Sequence, residues 1–389
     1  MRLKKRIRSH LRTLGFARDG EGGLRPPSQD KDVVRSLHRA QRRQLIVETQ
    51  DLVKGALPKL NQFFADGREV NVGAIAPRLE RVFSGTWQGD LFRLAALTWS
   101  VPVSSGYGRR LRFLVWDDSN GKLMGILAIG DPVFNLAVRD SHIGWTGSDR
   151  KHRLVNIMDA YVLGAIPPYN MILGGKLVAC LLRSREMYEH FRSVYGNTVG
   201  VISGESKAAR LLAVTTTSSM GRSSLYNRLK LDGTPYFTSL GFTGGWGHFH
   251  VPDGLFDEMR AYLKSKKIAE ADMHEFGQGP NWRIRAIRAA LGSLGFKGDL
   301  LKHGVQREAF ISLLADNSVS ILKSGKGSPK LANLKRINEI AELAKERWLI
   351  KRSMSRTEYL GWEKRKVGQL IKTGTMTPSA QALDLVTSA

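Results

Sequence analysis

The sequence predicts an α/β (α+β) fold, a central domain built on a mixed sheet and flanked by basic N-terminal and C-terminal helical regions. Three observations predict it. Two strand-like apolar runs flank Asn120-Gly121, a hairpin signal. Apolar stripes at helical spacing then alternate with further strand-like runs to about residue 268. Outside that core, helical spacing is interleaved with many Lys and Arg. The expected division of the 389 residues is a basic helical region over 1–90, an α/β core over 91–268, a basic helical region over 269–372 and a flexible tail over 373–389.

In chain order, Ile7, Leu11 and Leu14 form one stripe of a basic amphipathic helix, and Gly15 stands where it would stop. Glycines, Pro26-Pro27 and mixed charge make 18–32 a linker or ordered loop, before a second helical run from about Lys31 to Leu57. The segment RRLRFLVWDDSNGKLMGILAIGD predicts the hairpin. In TGSDRKHRLVNIMDAYVLGAI, the residues Leu154, Ile157, Met158, Tyr161 and Val162 share a helical stripe, with Thr146 or Ser148 as cap and Asp149 in the first turn. Gly174-Gly175-Lys176 opens the next apolar helix, and TVGVISG and RLLAVTT read as strands. Asp253 caps a helix whose face holds Leu255, Met259, Tyr262 and Leu263, and Ile337, Ile340, Ala341, Ala344 and Trp348 mark another.

Charge narrows the function. With 60 Lys+Arg against 35 Asp+Glu the chain carries +25 and a pI near 10.3, a field that favours nucleic acid, DNA above all, as partner. Cys180 is the only cysteine, which excludes an intramolecular disulfide and fits a reducing setting. Charge interrupts MRLKKRIRSHLRTLGF too often for a signal peptide, and no stretch approaches ~18 uncharged apolar residues. The expectation is a cytoplasmic protein without a membrane partner.

Two clusters carry candidate chemistry. Asp131, Arg139, Asp140, His142 and Trp145 lie within fifteen residues, and Asp159 falls on the predicted helix that follows, away from its apolar stripe. Asp131, Asp140 and Asp159 are candidate ligands for Mg²⁺ or Mn²⁺, and with His142 they are the candidate catalytic set for phosphodiester hydrolysis. The competing reading makes Arg139 and Asp140 an internal ion pair. The second cluster is TTTSSMGRSSLYNRLK, residues 215–230. Gly221 permits unusual backbone angles, Ser223, Ser224 and Asn227 offer hydrogen bonds, Arg222 and Arg228 offer forks, and Tyr226 offers a ring to a base or sugar. A solvated loop whose serines cap the next element is the alternative. His248 and His250 alternate on a predicted strand, as ligands, acid–base groups or ordinary packing. Gly174-Gly175-Lys176 lacks the upstream glycine and the hydroxyl of a P-loop, which removes ATP binding there.

The run YGRRLRFLVWDD...LMGILAIGDPVFNLAVRDSHIGW, then VNIMDAYVLGAIPPYNMILGGKLVACL, GRSSLYNRLKLDG, GFTGGWGHFH and GPNWRIR, resembles the DruA family of Druantia anti-phage defence systems, in block order and spacing from about Leu3 to Trp362. The resemblance implies a component of a bacterial antiviral defence system beside a helicase-like subunit. Nucleic-acid binding is the expected activity. The alternatives are a metal-dependent nuclease acting on phage DNA, a purely protein-docking subunit, and a modifying activity. The last rests on a fold-level resemblance to acyl-CoA-dependent acetyltransferases. No small-residue loop suited to a cofactor pyrophosphate follows the hairpin, where Asp131 and Pro132 stand instead.

Overall fold

The computed structural model describes residues 2–103, 108–199, 204, 206–271 and 282–374. The expected tail lies outside the described residues from 375 onward, as do 200–203 of TVGVISG and the first three residues of GPNWRIR. Two compact units make up the chain. The smaller comprises Met1–Gln44, Ser218–Arg222 and Phe242–Glu308, the larger Leu45–Thr217, Ser223–Gly241 and Ala309–Ala389.

The larger unit is built on a seven-stranded mixed sheet of β1 (Pro77–Arg81), β2 (Arg110–Asp117), β3 (Lys122–Gly130), β4 (Ile157–Ala165), β5 (Ala213–Thr217), β6 (Thr238–Phe242) and β7 (Glu308–Leu313), in the spatial order β6-β7-β5-β4-β3-β2-β1. β4 and β5 run parallel, whereas β1–β2, β2–β3, β3–β4 and β5–β7 are antiparallel. Alternation along β2 sends Leu111, Phe113 and Val115 into one apolar cluster and Leu114 and Trp116 into another. Leu177, Val178 and Leu181 of the helix Gly174–Leu181, with Ile340 of Ile337–Ala344, belong to the first cluster. Leu91 and Leu94 of Trp87–Leu97, with Leu370 and Ile371 of Val367–Thr373, belong to the second. A sheet buried on both faces explains why LMGILAIG is continuously apolar rather than alternating.

The hairpin forms as its sequence predicts. Gly121 takes a left-handed φ of 67°, which a side chain would resist. Asp117 is fully buried and holds the turn, its carboxylate accepting from the Ala76 N–H at 3.0 Å, the Ser119 hydroxyl at 2.7 Å and the Tyr169 hydroxyl at 2.9 Å. Burial, reinforced by Asp117, pushes the Tyr169 hydroxyl far above its ordinary pKa, so it stays a donor.

One predicted helix is a strand. Thr146 does cap a helix, accepting from the Asp149 N–H, but that helix spans only Gly147–Arg153. Ile157, Met158, Tyr161 and Val162 lie on β4 instead. The apparent helical stripe has a physical origin: Val162 pairs with Ala128 and Ala160 with Ile129, so Tyr161 is an extra residue in a β-bulge. The bulge breaks the two-residue period, and burial on both faces removes the polar alternation that would have marked a strand.

In the smaller unit the helices Arg2–Thr13, Asp253–Ser265 and Trp282–Ser293 share one apolar cluster that includes Ile7, Leu11, Leu255, Met259, Leu263, Ala286 and Ile287. Gly15 follows the first helix with φ 78°. The run predicted from Lys31 appears as Lys31–Leu37, Arg39–Glu48 and Gln50–Leu60, the last of these within the larger unit. Pro252, not Asp253, is the cap of the helix Asp253–Ser265, and Asp253 sits in its first turn. His248 and His250 are not on a strand, since only Trp246 makes an isolated bridge there, to Lys302.

Candidate nucleic-acid interface

The carboxylates singled out in the sequence are held by arginines or hydroxyls of the larger unit. Asp131 follows β3 and is gripped by Arg109, whose backbone N–H donates at 2.9 Å and whose Nε donates at 2.8 Å. Arg109 is itself fixed, donating to the Val155 carbonyl at 2.8 Å and lying against the rings of Phe191 and Tyr195. Asp140 belongs to the helix Ala137–Ile143 and joins two arginines: Arg139 at 2.7 Å on one oxygen and Arg150 at 2.7 Å on the other. The Arg139 guanidinium is fully buried and also donates to the carbonyls of Val133 and Phe134, both at 2.9 Å. Burial lowers its pKa, and Asp140 opposes that shift. The internal ion pair is thus present.

Asp159 lies on β4, half-buried, where it accepts from the Thr215 hydroxyl of β5 at 2.7 Å. Loss of solvation pushes its carboxyl up to about 6, against the opposing effects of that hydrogen bond and of Arg139. His142 is exposed. Asp131, Asp140 and Asp159 therefore accept hydrogen bonds from different groups, although Arg139 acts electrostatically on both Asp140 and Asp159. Among the described residues no group of three or more His, Cys, Asp or Glu side chains is placed to hold a metal ion.

The segment 215–230 divides into parts with different duties. Thr215 and Thr216 are buried in β5, and the Thr216 hydroxyl donates to the Ala160 carbonyl at 2.8 Å. Gly221 has φ 72°. Arg222, Ser224, Asn227 and Arg228 are exposed. Ser223 is buried, and its hydroxyl accepts from the Tyr226 N–H at 3.2 Å, just ahead of the turn Tyr226–Arg228. Its carbonyl accepts from the Asn227 amide at 2.8 Å. The Tyr226 ring is half-buried, 4.9 Å from Phe237 and 5.1 Å from Phe310 between ring centres, so much of its surface is committed to packing.

Arg228 has cationic company that no local sequence pattern groups with it. Burial first, then the positive charges of Arg228 and Arg347, hold Lys176 below its ordinary pKa. Lys176 lies over the Trp348 ring at 5.0 Å, and Arg347 approaches the same ring at 5.8 Å. Among the described residues none of these three cations forms an ion pair. The sequence signal was the Lys of Gly174-Gly175-Lys176, which fails as a P-loop yet places a cation in the first turn of an eight-residue helix. Lys176 and Arg347 are 171 positions apart, too far for any motif to join them.

The histidines belong to the smaller unit and have another character. His38, His250 and His303 are buried around Phe249, whose ring centre lies 4.8, 5.6 and 4.7 Å from theirs. Desolvation lowers His38 and His250 to about 4 and His303 to about 3, and neighbouring cationic or histidine side chains, Arg307 among them, add to the fall. They are neutral packing groups at pH 7.

Comparison with known proteins agrees with the block order read from the sequence. The family profile described as Druantia protein DruA matches residues 28–324. A protein from Escherichia coli (strain UMEA 4076-1), described as Druantia protein DruA, is 60% identical over 375 residues, which cover 96% of this chain and 93% of that protein. No solved structure matches.

Proposed function

This chain belongs to the DruA family of Druantia proteins, and from that premise we propose that it serves anti-phage defence by binding nucleic acid, DNA in the first instance, through its phosphates. The observation that carries this reading is the group Lys176, Arg228 and Arg347. Arg228 and Arg347 each repel the partly buried Lys176, and a polyanion laid across the group relieves that repulsion. Exposed Ser224, on the loop that leads to Arg228, offers a further hydrogen-bond donor to a phosphate. The net charge of +25 supplies the long-range attraction. In this reading the helicase-like Druantia subunit is a functional neighbour and the site of action is the cytoplasm. Among the described residues no helix is long and apolar enough to cross a membrane.

Gel shifts with double- and single-stranded DNA at 50 and 200 mM salt test the proposal. Binding that weakens by orders of magnitude across that range supports it. Replacing Lys176, Arg228 and Arg347 together by Gln flattens the plot of log affinity against log salt by about one unit for each phosphate that is no longer neutralised. No binding to either form of DNA at low salt overturns the proposal in favour of a protein-docking role.

A further inference from the structure

The described residues with large exposed apolar side chains include Phe83, 55% exposed, and Trp87, 44% exposed, four positions apart in the larger unit. The turn that carries them leaves the end of β1 and enters the helix Trp87–Leu97. It is rigid by construction. The Thr86 hydroxyl donates to the Phe83 carbonyl at 2.9 Å and accepts from the Gly89 N–H at 3.2 Å, and Gly85 takes φ 77°. Each ring is backed on one side. Phe63 stacks on Trp87 with centres 4.8 Å apart and planes 16° apart, and the Arg81 guanidinium covers Phe83 at 4.7 Å. Arg112 reaches the same turn and donates to the Ser84 hydroxyl at 2.9 Å.

Rings left uncovered in water cost free energy unless a partner covers them, and a rigid, backed ring binds a flat partner with little further loss of entropy. Two guanidinium groups beside two open rings are a chemistry that matches one class of partner, bases with a phosphate backbone between them. A protein partner for the same rings would have to be acidic at Arg81 and Arg112. We propose that Phe83 and Trp87 are a stacking platform for the bases of single-stranded DNA, with Arg81 and Arg112 on its phosphates. This inference rests on the nucleic-acid reading above and adds the strand form that is read. Glu80 is occupied elsewhere, accepting from the Trp116 indole N–H at 2.6 Å and the Gln88 amide at 3.0 Å, so the nearest carboxylate of β1 has bonds of its own.

The test is fluorescence anisotropy of the full chain with a labelled 20-nucleotide oligothymidylate and with a labelled duplex of equal length, at one salt concentration. Phe83→Ala, which removes a mostly exposed ring, weakens single-strand binding on the order of tenfold, and Phe83→Ala with Trp87→Ala weakens it further, since each ring lost removes one base stack. Duplex binding stays within about twofold of the parent, because the cations that hold its phosphates remain. Trp87→Phe and Phe83→Trp restore or retain single-strand affinity. Equal losses for both DNA forms overturn the platform, because a shared loss reports general electrostatics or damage to the fold. Unchanged single-strand affinity also overturns it and assigns the rings to a protein partner. If the parent chain binds duplex but not the oligothymidylate, the platform fails while the DNA-binding reading stands. If it binds neither, both fail.

Discussion

The two compact units handle buried polar groups in opposite ways. In the larger unit buried and half-buried charge is kept and paired: Arg139 with Asp140, Asp140 with Arg150, and Asp131 with Arg109. In the smaller unit His38, His250 and His303 are kept neutral around Phe249, and the half-buried Arg307 lies over that ring at 5.6 Å. The smaller unit is also denser in charge, with 24 Lys and Arg against 12 Asp and Glu, where the larger has 36 against 23 over more than twice the length. The contrast teaches that net positive charge does not set the interior chemistry. One unit uses arginines as internal struts paired with carboxylates, whereas the other packs neutral histidines around an aromatic ring that also carries an arginine on its face.

Acid should break the comparison most strongly. The three histidines have folded-state pKa values of about 4, 4 and 3, below the ordinary 6.5, so the unfolded chain binds more protons between those limits. Stability is therefore full above about pH 6.5 and falls as pH drops toward 4, by about 1.4 kcal/mol per pH unit for each histidine. Hydrogen exchange followed from pH 7 to pH 4.5 should show Arg2–Thr13 and Asp253–Ser265 losing protection well before β2 and β3. Equal losses in both units would mean that the histidines are not what separates them.

Next in size is Arg139→Met. It leaves Asp140 with Arg150 alone and strands the carbonyls of Val133 and Phe134, at a cost of about 3–5 kcal/mol in denaturant unfolding. A triple substitution, Arg139→Met with Asp140→Leu and Arg150→Met, should recover much of that loss, since no lone charge of the cluster remains. Failure to recover would show that Arg139 positions the 133–134 backbone rather than balancing Asp140.

Asp159→Asn has a smaller effect and the opposite pH sign to the histidines. The folded-state pKa of about 6 lies above the ordinary 3.8, so Asp159 favours the folded chain below about pH 3.8 and loses that contribution as pH rises past 6. The Asn variant keeps an acceptor for Thr215 and should be more stable than the parent by about 1–2 kcal/mol at pH 7, with the gap closing by pH 4. Denaturant midpoints at the two pH values check it. Arg222→Ala with Arg228→Ala should move stability by less than about 0.5 kcal/mol, because both side chains are exposed, while weakening DNA binding. A large drop in thermal stability would make those arginines structural.

The legible parts of the fold were those with local causes. Asn120-Gly121 fixes a turn within a few residues, and the stripe Ile337, Ile340, Ala341 and Ala344 needs only one helix to be read. β4 was illegible because the Tyr161 bulge is set by its pairing with β3 and its burial by layers remote in sequence. Asp159 inherited that error and went to a helix. The Arg139–Asp140 pair was legible as neighbours in sequence, but the Val133 and Phe134 carbonyls that complete it were not. Tyr226 read as free in a polar loop, since Phe237 and Phe310, which take up its ring, come from other strands and turns. The aromatics beside Arg81 in RVFSGTW are the local sequence signal of the proposed platform.

The discontinuity of the units has a consequence for synthesis. The chain passes between them after residues 44, 217, 222, 241 and 308. The helix Arg2–Thr13, with Ile7 and Leu11 facing inward, leaves the ribosome well ahead of its apolar partners on Asp253–Ser265 and Trp282–Ser293, which emerge last in that unit. At ~5–20 residues per second the wait is on the order of ten to fifty seconds, during which a basic, amphipathic segment stands without its core. A ribosome-bound chain is surrounded by RNA, the one polyanion always present at birth, so the N-terminal charge that would serve a nucleic-acid-binding protein later is also a hazard to its own folding. Nascent chains arrested before and after residue 308 should differ accordingly, with protease resistance of the first 44 residues appearing only in the longer.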